Sequence, residues 1–149
     1  MNFRIRHALG LLLALSSLPA AARESAATCL PEVRQGWIRL LPGGMPMHAG
    51  FARIDNRCTR PVAFVSARSP GYASIELHET RNVAGVMRMR ELPAVRIPAG
   101  ESVTLKPGDI HLMLMDPVRP LRPGNRVAIV FVLSDNREVV GEFIARKPD

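Results

Sequence analysis

Residues 126–133 read Arg126-Val127-Ala128-Ile129-Val130-Phe131-Val132-Leu133, and from Ala128 to Leu133 every position is apolar. Asp135-Asn136 then offers a turn, and a second apolar-rich run extends from Val139 to Ala145. An apolar run this short between turn formers fits a β-strand covered on both sides, lying centrally in its sheet.

The rest of the chain has the same character. Candidate strands are Gly36 to Leu41, Ala49 to Asp55, Val62 to Ala67, Ala73 to Thr80, Val86 to Glu91, Ser102 to Leu105, Ile110 to Met115, Arg126 to Leu133 and Val139 to Ala145. Between them stand Asp55-Asn56, Ser69-Pro70-Gly71, Pro98-Ala99-Gly100, Pro107-Gly108-Asp109 and Pro123-Gly124-Asn125, each suited to turn geometry. The mature chain has no long apolar stripe of helical period and no repeat, so the expectation is an all-β sandwich or barrel.

The start of the chain reads as an export signal. Arg4, Arg6 and His7 give a basic beginning, Ala8 to Leu18 an apolar stretch, and Pro19-Ala20-Ala21-Ala22 a small-residue exit. A transmembrane anchor needs about 20 unbroken apolar residues, and this stretch stops at Pro19. The expected organisation is therefore a signal peptide over residues 1–22, cleaved near Ala22, and a single domain over 23–149 in the bacterial periplasm.

Losing Arg4 and Arg6 and no acid lowers the formal charge from +7 to +5. For an exported chain that balance points away from nucleic acid and towards an acidic protein surface or the proximity of anionic lipid, with a merely soluble surface as the bland reading. Cys29 and Cys58 are the two cysteines, and an even pair in an oxidising compartment favours a disulfide. A hairpin near Gly43-Gly44 that pairs the Trp37 strand with the Phe51 strand would bring both cysteines to one end. A thiolate site or redox pair is the alternative, without the close C-x-x-C spacing it would want.

The chemistry is concentrated in methionine and histidine. Beyond Met1, the methionines form three Met-x-Met pairs: Met45/Met47, Met87/Met89 and Met113/Met115. Alternation on a strand puts His111, Met113 and Met115 on one face and Leu112 and Leu114 on the other; His78 likewise parts from Ile75 and Leu77. A thioether is a soft, neutral sulfur that holds copper(I) without deprotonation, and imidazole is a compatible second ligand; hard cations prefer oxygen. Each residue alone has a bland reading, strand methionine as core filler and a lone histidine as solvated. Met89 is the weakest case, because Arg88 and Arg90 leave its own side free to face inward.

The spacing of His78, Met89, His111 and Met113 resembles the H-x10-M-x21-H-x-M pattern of the periplasmic copper chaperone family called PCuAC. Glu76-Leu77-His78-Glu79-Thr80, Gly85-Val86-Met87-Arg88-Met89-Arg90, Pro107-Gly108-Asp109-Ile110-His111-Leu112-Met113 and Pro120-Leu121-Arg122-Pro123-Gly124 carry the same likeness, over residues 36–146. The resemblance implies a cupredoxin-like Greek-key β-sandwich binding Cu(I) through those four residues. It further implies delivery to the binuclear copper centre of cytochrome c oxidase, alongside a Sco-type partner. A monomer is the expected state, although the sequence itself does not disclose it. Some relatives add a methionine- and histidine-rich tail, whereas this chain ends Arg146-Lys147-Pro148-Asp149, so no tail site is expected. Met45, Met47 and His48 form a candidate second metal site, or else an ordinary turn whose apolar residues cover the core rim.

Three other readings stay open. Copper storage or resistance would use similar ligands. An electron-transfer cupredoxin would need a His₂Cys centre, and neither cysteine lies near His111 in sequence. A metal-free envelope interaction domain would use the methionines as core alone. An enzyme is not expected, since no G-x-S-x-G elbow, H-E-x-x-H pair or P-loop occurs.

Overall fold

The computed structural model describes residues 29–147; the expected signal peptide over residues 1–22 lies outside the described residues. Ten strands run in order: β1 Glu32–Arg39, β2 Met47–Asp55, β3 Val62–Arg68, β4 Tyr72–Val83, β5 Val86–Glu91, β6 Val95–Ile97, β7 Ser102–Leu105, β8 Ile110–Pro117, β9 Arg126–Leu133 and β10 Glu138–Arg146. The nine expected strands are all present, with edges shifted by a few residues. The additional β6 is three residues long and sits close after the β5 strand, too short for alternation to reveal it.

Neighbouring strands follow the path β5-β4-β8-β2-β1-β10-β9-β3-β6, with β7 on the flank of β2. Ala67 of β3 also pairs with Ile75 of β4, which joins the two arms of the path and closes the sheet. Most neighbours are distant in sequence, β8 lying between β2 and β4, and β1 running parallel to β10. This is the cupredoxin-like Greek-key β-sandwich.

The interior is built by alternation. In β8, Leu112 and Leu114 are fully buried, and in β9 Val127, Ile129, Phe131 and Leu133 all point inward. Phe131 has ring partners on both sides, Phe64 with centroids 5.3 Å apart and Phe143 at 6.2 Å. One expectation is corrected here. Strand β9 is interior to the sheet, between β10 and β3, but it is not covered on both sides: Ala128 is exposed, and Val130 and Val132 are only partly buried. Its outward residues are apolar without a second layer against them, a pattern indistinguishable in sequence from double burial.

Two local devices matter for the functional face. The Leu41-to-Pro46 connection holds a short 3-10 turn, Pro42–Gly44, so that Met47 and His48 belong to β2 rather than to the turn. Between Arg34 and Trp37 the β1 to β2 register slips by one residue at a bulge, with Gln35 at φ 53°. The extra residue re-aims the strand and sets Trp37 opposite Phe51.

Cys29 and Cys58 form a disulfide across a sequence separation of 29, as the hairpin register implies. Closing a loop of that size stabilises the fold by about 3 kcal/mol, chiefly by restricting the unfolded chain.

Candidate metal centre

Strand pairing assembles one face from β2, β8, β4 and β5. Directly opposed residues are His78 with His111, Glu76 with Met113, Thr80 with Met89, Ala49 with Met113 and Met47 with Met115. Opposed residues of an antiparallel pair share a side, so all four motif residues project from the side opposite the Leu77, Leu112 and Leu114 core. The His78 and His111 ring centroids lie 6.1 Å apart. Met89, His111 and Met113 line one shallow cavity of about 270 Å³, together with Met47, Phe51 and Arg39. His78 stands beside that cavity, next to His111 on the neighbouring strand.

The two imidazoles are held in complementary ways. His111 is 5% exposed, and its Nδ1 lies 2.8 Å from the carbonyl oxygen of Asp109. A carbonyl only accepts, so Nδ1–H donates and the neutral ring keeps its lone pair on Nε2. His78 places Nε2 2.9 Å from a Glu76 carboxylate oxygen, and its Nδ1 is buried with no hydrogen-bond partner. By the same argument Nε2–H donates to the carboxylate and the free lone pair is on Nδ1. A buried, unpartnered acceptor is costly unless something completes it. A carboxylate behind a ligating imidazole is the usual arrangement where histidine binds a metal.

Met89 is not core. It is 53% exposed on the β4 to β5 hairpin, Met87 is 57% exposed, and Met45 is 46% exposed, so the reading of these methionines as interior filler is set aside. On the reverse side of the hairpin, Glu79 is bound by Arg81 at 2.8 Å and by Arg90 at 2.9 Å. The hydrogen bond from Arg81, then that from Arg90, hold its carboxyl below the ordinary glutamate range against the opposing effect of burial. These contacts occupy both arginine side chains away from the methionine side. Among the described residues no group of three His, Cys, Asp or Glu could hold a metal ion. The further side-chain donors that this face offers beside His78 and His111 are the thioether sulfurs of Met89 and Met113.

The structure divides the candidate second set. Met47 faces the cavity of the motif residues, whereas His48 points to the other side, 7% exposed, with Nδ1 2.9 Å from the Tyr72 hydroxyl. Met45 and His48 line a separate cavity with Asp116 and Pro120.

Burial pushes the His48 imidazole below its ordinary pKa. The unfolded chain takes up a proton that the folded chain refuses, so this contribution is present above about pH 6.5 and is lost as pH falls below it. The expected result is a lower urea midpoint at about pH 5.5 than at about pH 7.5, with the difference shrinking in His48→Gln. An unchanged difference in that variant would remove His48 as its source.

Phe51, Trp37 and Arg39 are neighbours of the site that sequence reading did not single out. Phe51 lies 6.3 Å from His111 and 4.5 Å from Trp37 between ring centroids. Their alternation, Trp37 and Arg39 on one strand face, was readable, but the bulge at Gln35 that aims them was not.

Residues 32–143 match the model of the LpqE-like family of lipoproteins. The chain belongs to the LpqE-like, or PCuAC, family. A relative by sequence is the lipoprotein Lxx21020 of Leifsonia xyli subsp. xyli (strain CTCB07), 33% identical over 105 residues, which cover 70% of this chain and 62% of that protein. The chain spans about six-tenths of the length of the curated relatives it matches. Among solved structures, CuI-DR1885 from Deinococcus radiodurans superposes with a TM-score of 0.61 at 27% identity, covering 85% of each chain. The apo PCuAC domain from PmoF1 superposes with a TM-score of 0.66 at 22% identity, over 79% of this chain and 94% of that one, a likeness of fold.

Proposed function

We propose that this PCuAC-family chain is an exported copper(I) chaperone whose cargo is held by His78, Met89, His111 and Met113. The observation that carries this reading is the buried, unpartnered Nδ1 of His78, backed by Glu76 and set beside His111 on a face that also bears Met89 and Met113. The likeness to CuI-DR1885 supports copper(I) as the ion. Two neutral thioethers select a soft monovalent ion, and two imidazoles raise affinity while making binding weaken as pH falls and they protonate. Because no ligand is anionic and Met89 is exposed, an acceptor can replace the donors one at a time.

The acceptor in this reading is the copper domain of cytochrome c oxidase or a Sco-type protein, met in the periplasm after a signal peptide over residues 1–22 is removed from a single domain over 23–149. Mixing copper(I)-loaded protein with the soluble copper domain of the oxidase tests it. Movement of the metal to that domain supports delivery, and retention of the metal under excess acceptor points to storage or resistance instead.

Glu76 provides a second test. Its carboxylate orients His78, and loss of such a supporting partner costs about 10–100-fold in metal affinity. Glu76→Ala is expected to weaken copper(I) binding by that amount in competition with a chromogenic copper(I) chelator, and Glu76→Gln, which keeps an acceptor oxygen, by less. Equal affinities in all three proteins would detach Glu76 from the site.

A further inference from the structure

Beside the metal face lies an arrangement of cations that folding alone does not account for. Arg39 of β1 and Arg146 of β10 are directly opposed in the parallel register, and both guanidinium groups stack on the same indole, 5.6 Å and 5.3 Å from the Trp37 ring centroid. Arg39 also lies 5.2 Å over Phe51. Like charges directly opposed across strands are destabilising. No carboxylate among the described residues pairs with either arginine, although most other acids on the sheets are matched to one. The Nε of Arg39 is in addition buried with no hydrogen-bond partner. A pair of guanidinium groups without a carboxylate partner fits a carboxylate brought from outside to their exposed nitrogens.

The position says whose carboxylate. Arg39 and Phe51 line the cavity that holds Met89, His111 and Met113, and Pro107 continues its rim into a groove of about 340 Å³ lined by Trp37, Lys106 and Arg146. An acidic segment lying in that groove has its far end at the metal face.

We infer that the Trp37, Arg39 and Arg146 shelf is the docking surface for the copper-accepting protein, and that it recognises an acidic segment through paired guanidinium to carboxylate bonds. Planar guanidinium forks bind carboxylates bidentately, and stacking on an aromatic ring holds the forks in place before contact. Opposite charge also raises the rate of encounter, so transfer speed rather than copper affinity is what the shelf controls. This inference rests on the copper-chaperone reading for the identity of the partner, but its first test does not need copper.

Trp37 is the sole tryptophan, so its fluorescence reports on the shelf directly. Titrating the apo protein with a hepta-glutamate peptide is expected to give a saturable change in Trp37 emission that added salt weakens, whereas hepta-glutamine gives none. In Arg39→Gln/Arg146→Gln the apparent affinity for hepta-glutamate falls about tenfold or more. In Arg60→Gln/Arg96→Gln, which loses the same charge from exposed positions elsewhere, it stays within about twofold. The second arm follows copper(I) from loaded protein to a two-thiol peptide carrying either a glutamate or a glutamine tail. The wild type serves the acidic peptide faster, and the Arg39→Gln/Arg146→Gln protein serves both alike, each rate being compared between the two tails within one protein so that any change in copper affinity cancels. Equal responses to the two heptapeptides, or a response that survives loss of both arginines, overturns the docking surface. A protein that binds hepta-glutamate at the shelf but takes up no copper keeps the surface and overturns the chaperone reading alone.

Discussion

Replacing Met89 and Met113 together by alanine is expected to weaken copper(I) binding by about a thousandfold or more while leaving the protein folded. The size follows from chemistry: loss of a supporting partner already costs about 10–100-fold, and here two of four donors to the ion itself disappear. The two imidazoles that remain would hold copper(II) or zinc as readily as copper(I), so selectivity goes with the sulfur. Folding should survive because Met89 is 53% exposed on a hairpin and Met113 faces outward between Leu112 and Leu114, which carry the core. Truncating the outward side chains costs about 1 kcal/mol or less, within reach of the margin of an ordinary domain. Chelator competition under reducing conditions reads the affinity, and a thermal melt reads the fold. Met87→Ala, on the same hairpin and also exposed, is the control and should bind as the wild type does. If the double variant bound copper(I) unchanged, the assignment of Met89 and Met113 as ligands would be wrong.

Phe131→Ala is expected to have the opposite profile, a large loss of stability with the metal face intact. Phe131 is fully buried on β9, set edge-on to Phe64 and stacked with Phe143, so its removal leaves a void beside the rings of β3 and β10. Phe→Ala at such a position costs about 3–5 kcal/mol, part from lost transfer energy and part from the cavity. For a domain of this size that lowers the melting temperature by about 10–20 °C. The site lies on β4, β5 and β8, and Phe131 sits on β9, whose hydrogen-bonded neighbours are β10 and β3 and none of those three strands. Copper(I) affinity measured well below the transition should therefore match the wild type. A melting shift of only a degree or two would show that the core collapses around the gap, and that Phe131 does not anchor it.

Much of the site was legible because a strand's period is two. His111-Leu112-Met113 can only send its histidine and methionine one way and its leucine the other, and the fully buried Leu112 bears this out. The pairing of the Trp37 strand with the Phe51 strand and the Cys29 to Cys58 disulfide were likewise readable from the hairpin, though not the one-residue slip that sets Trp37 itself opposite Phe51. Met45, Met47 and His48 were not, since nothing local says that the turn ends at Gly44 and the strand begins at Met47, which sends Met47 and His48 to opposite sides. The double coverage expected for β9 failed for a related reason. An apolar outward face and a second packed layer look alike until the neighbours are known.

By itself, then, the order of residues determined which side chains could face outward together on each strand, since alternation is a property of the extended backbone alone. It also determined the chemistry on offer, soft sulfur and imidazole in place of thiolate and carboxylate. What only the tertiary structure decided is adjacency between strands distant in the chain: that β8 lies between β2 and β4, that His78 opposes His111, and that Arg39 opposes Arg146 over Trp37. Those registers come from closing one sheet around one core, a condition met by all the strands at once and written in no single segment.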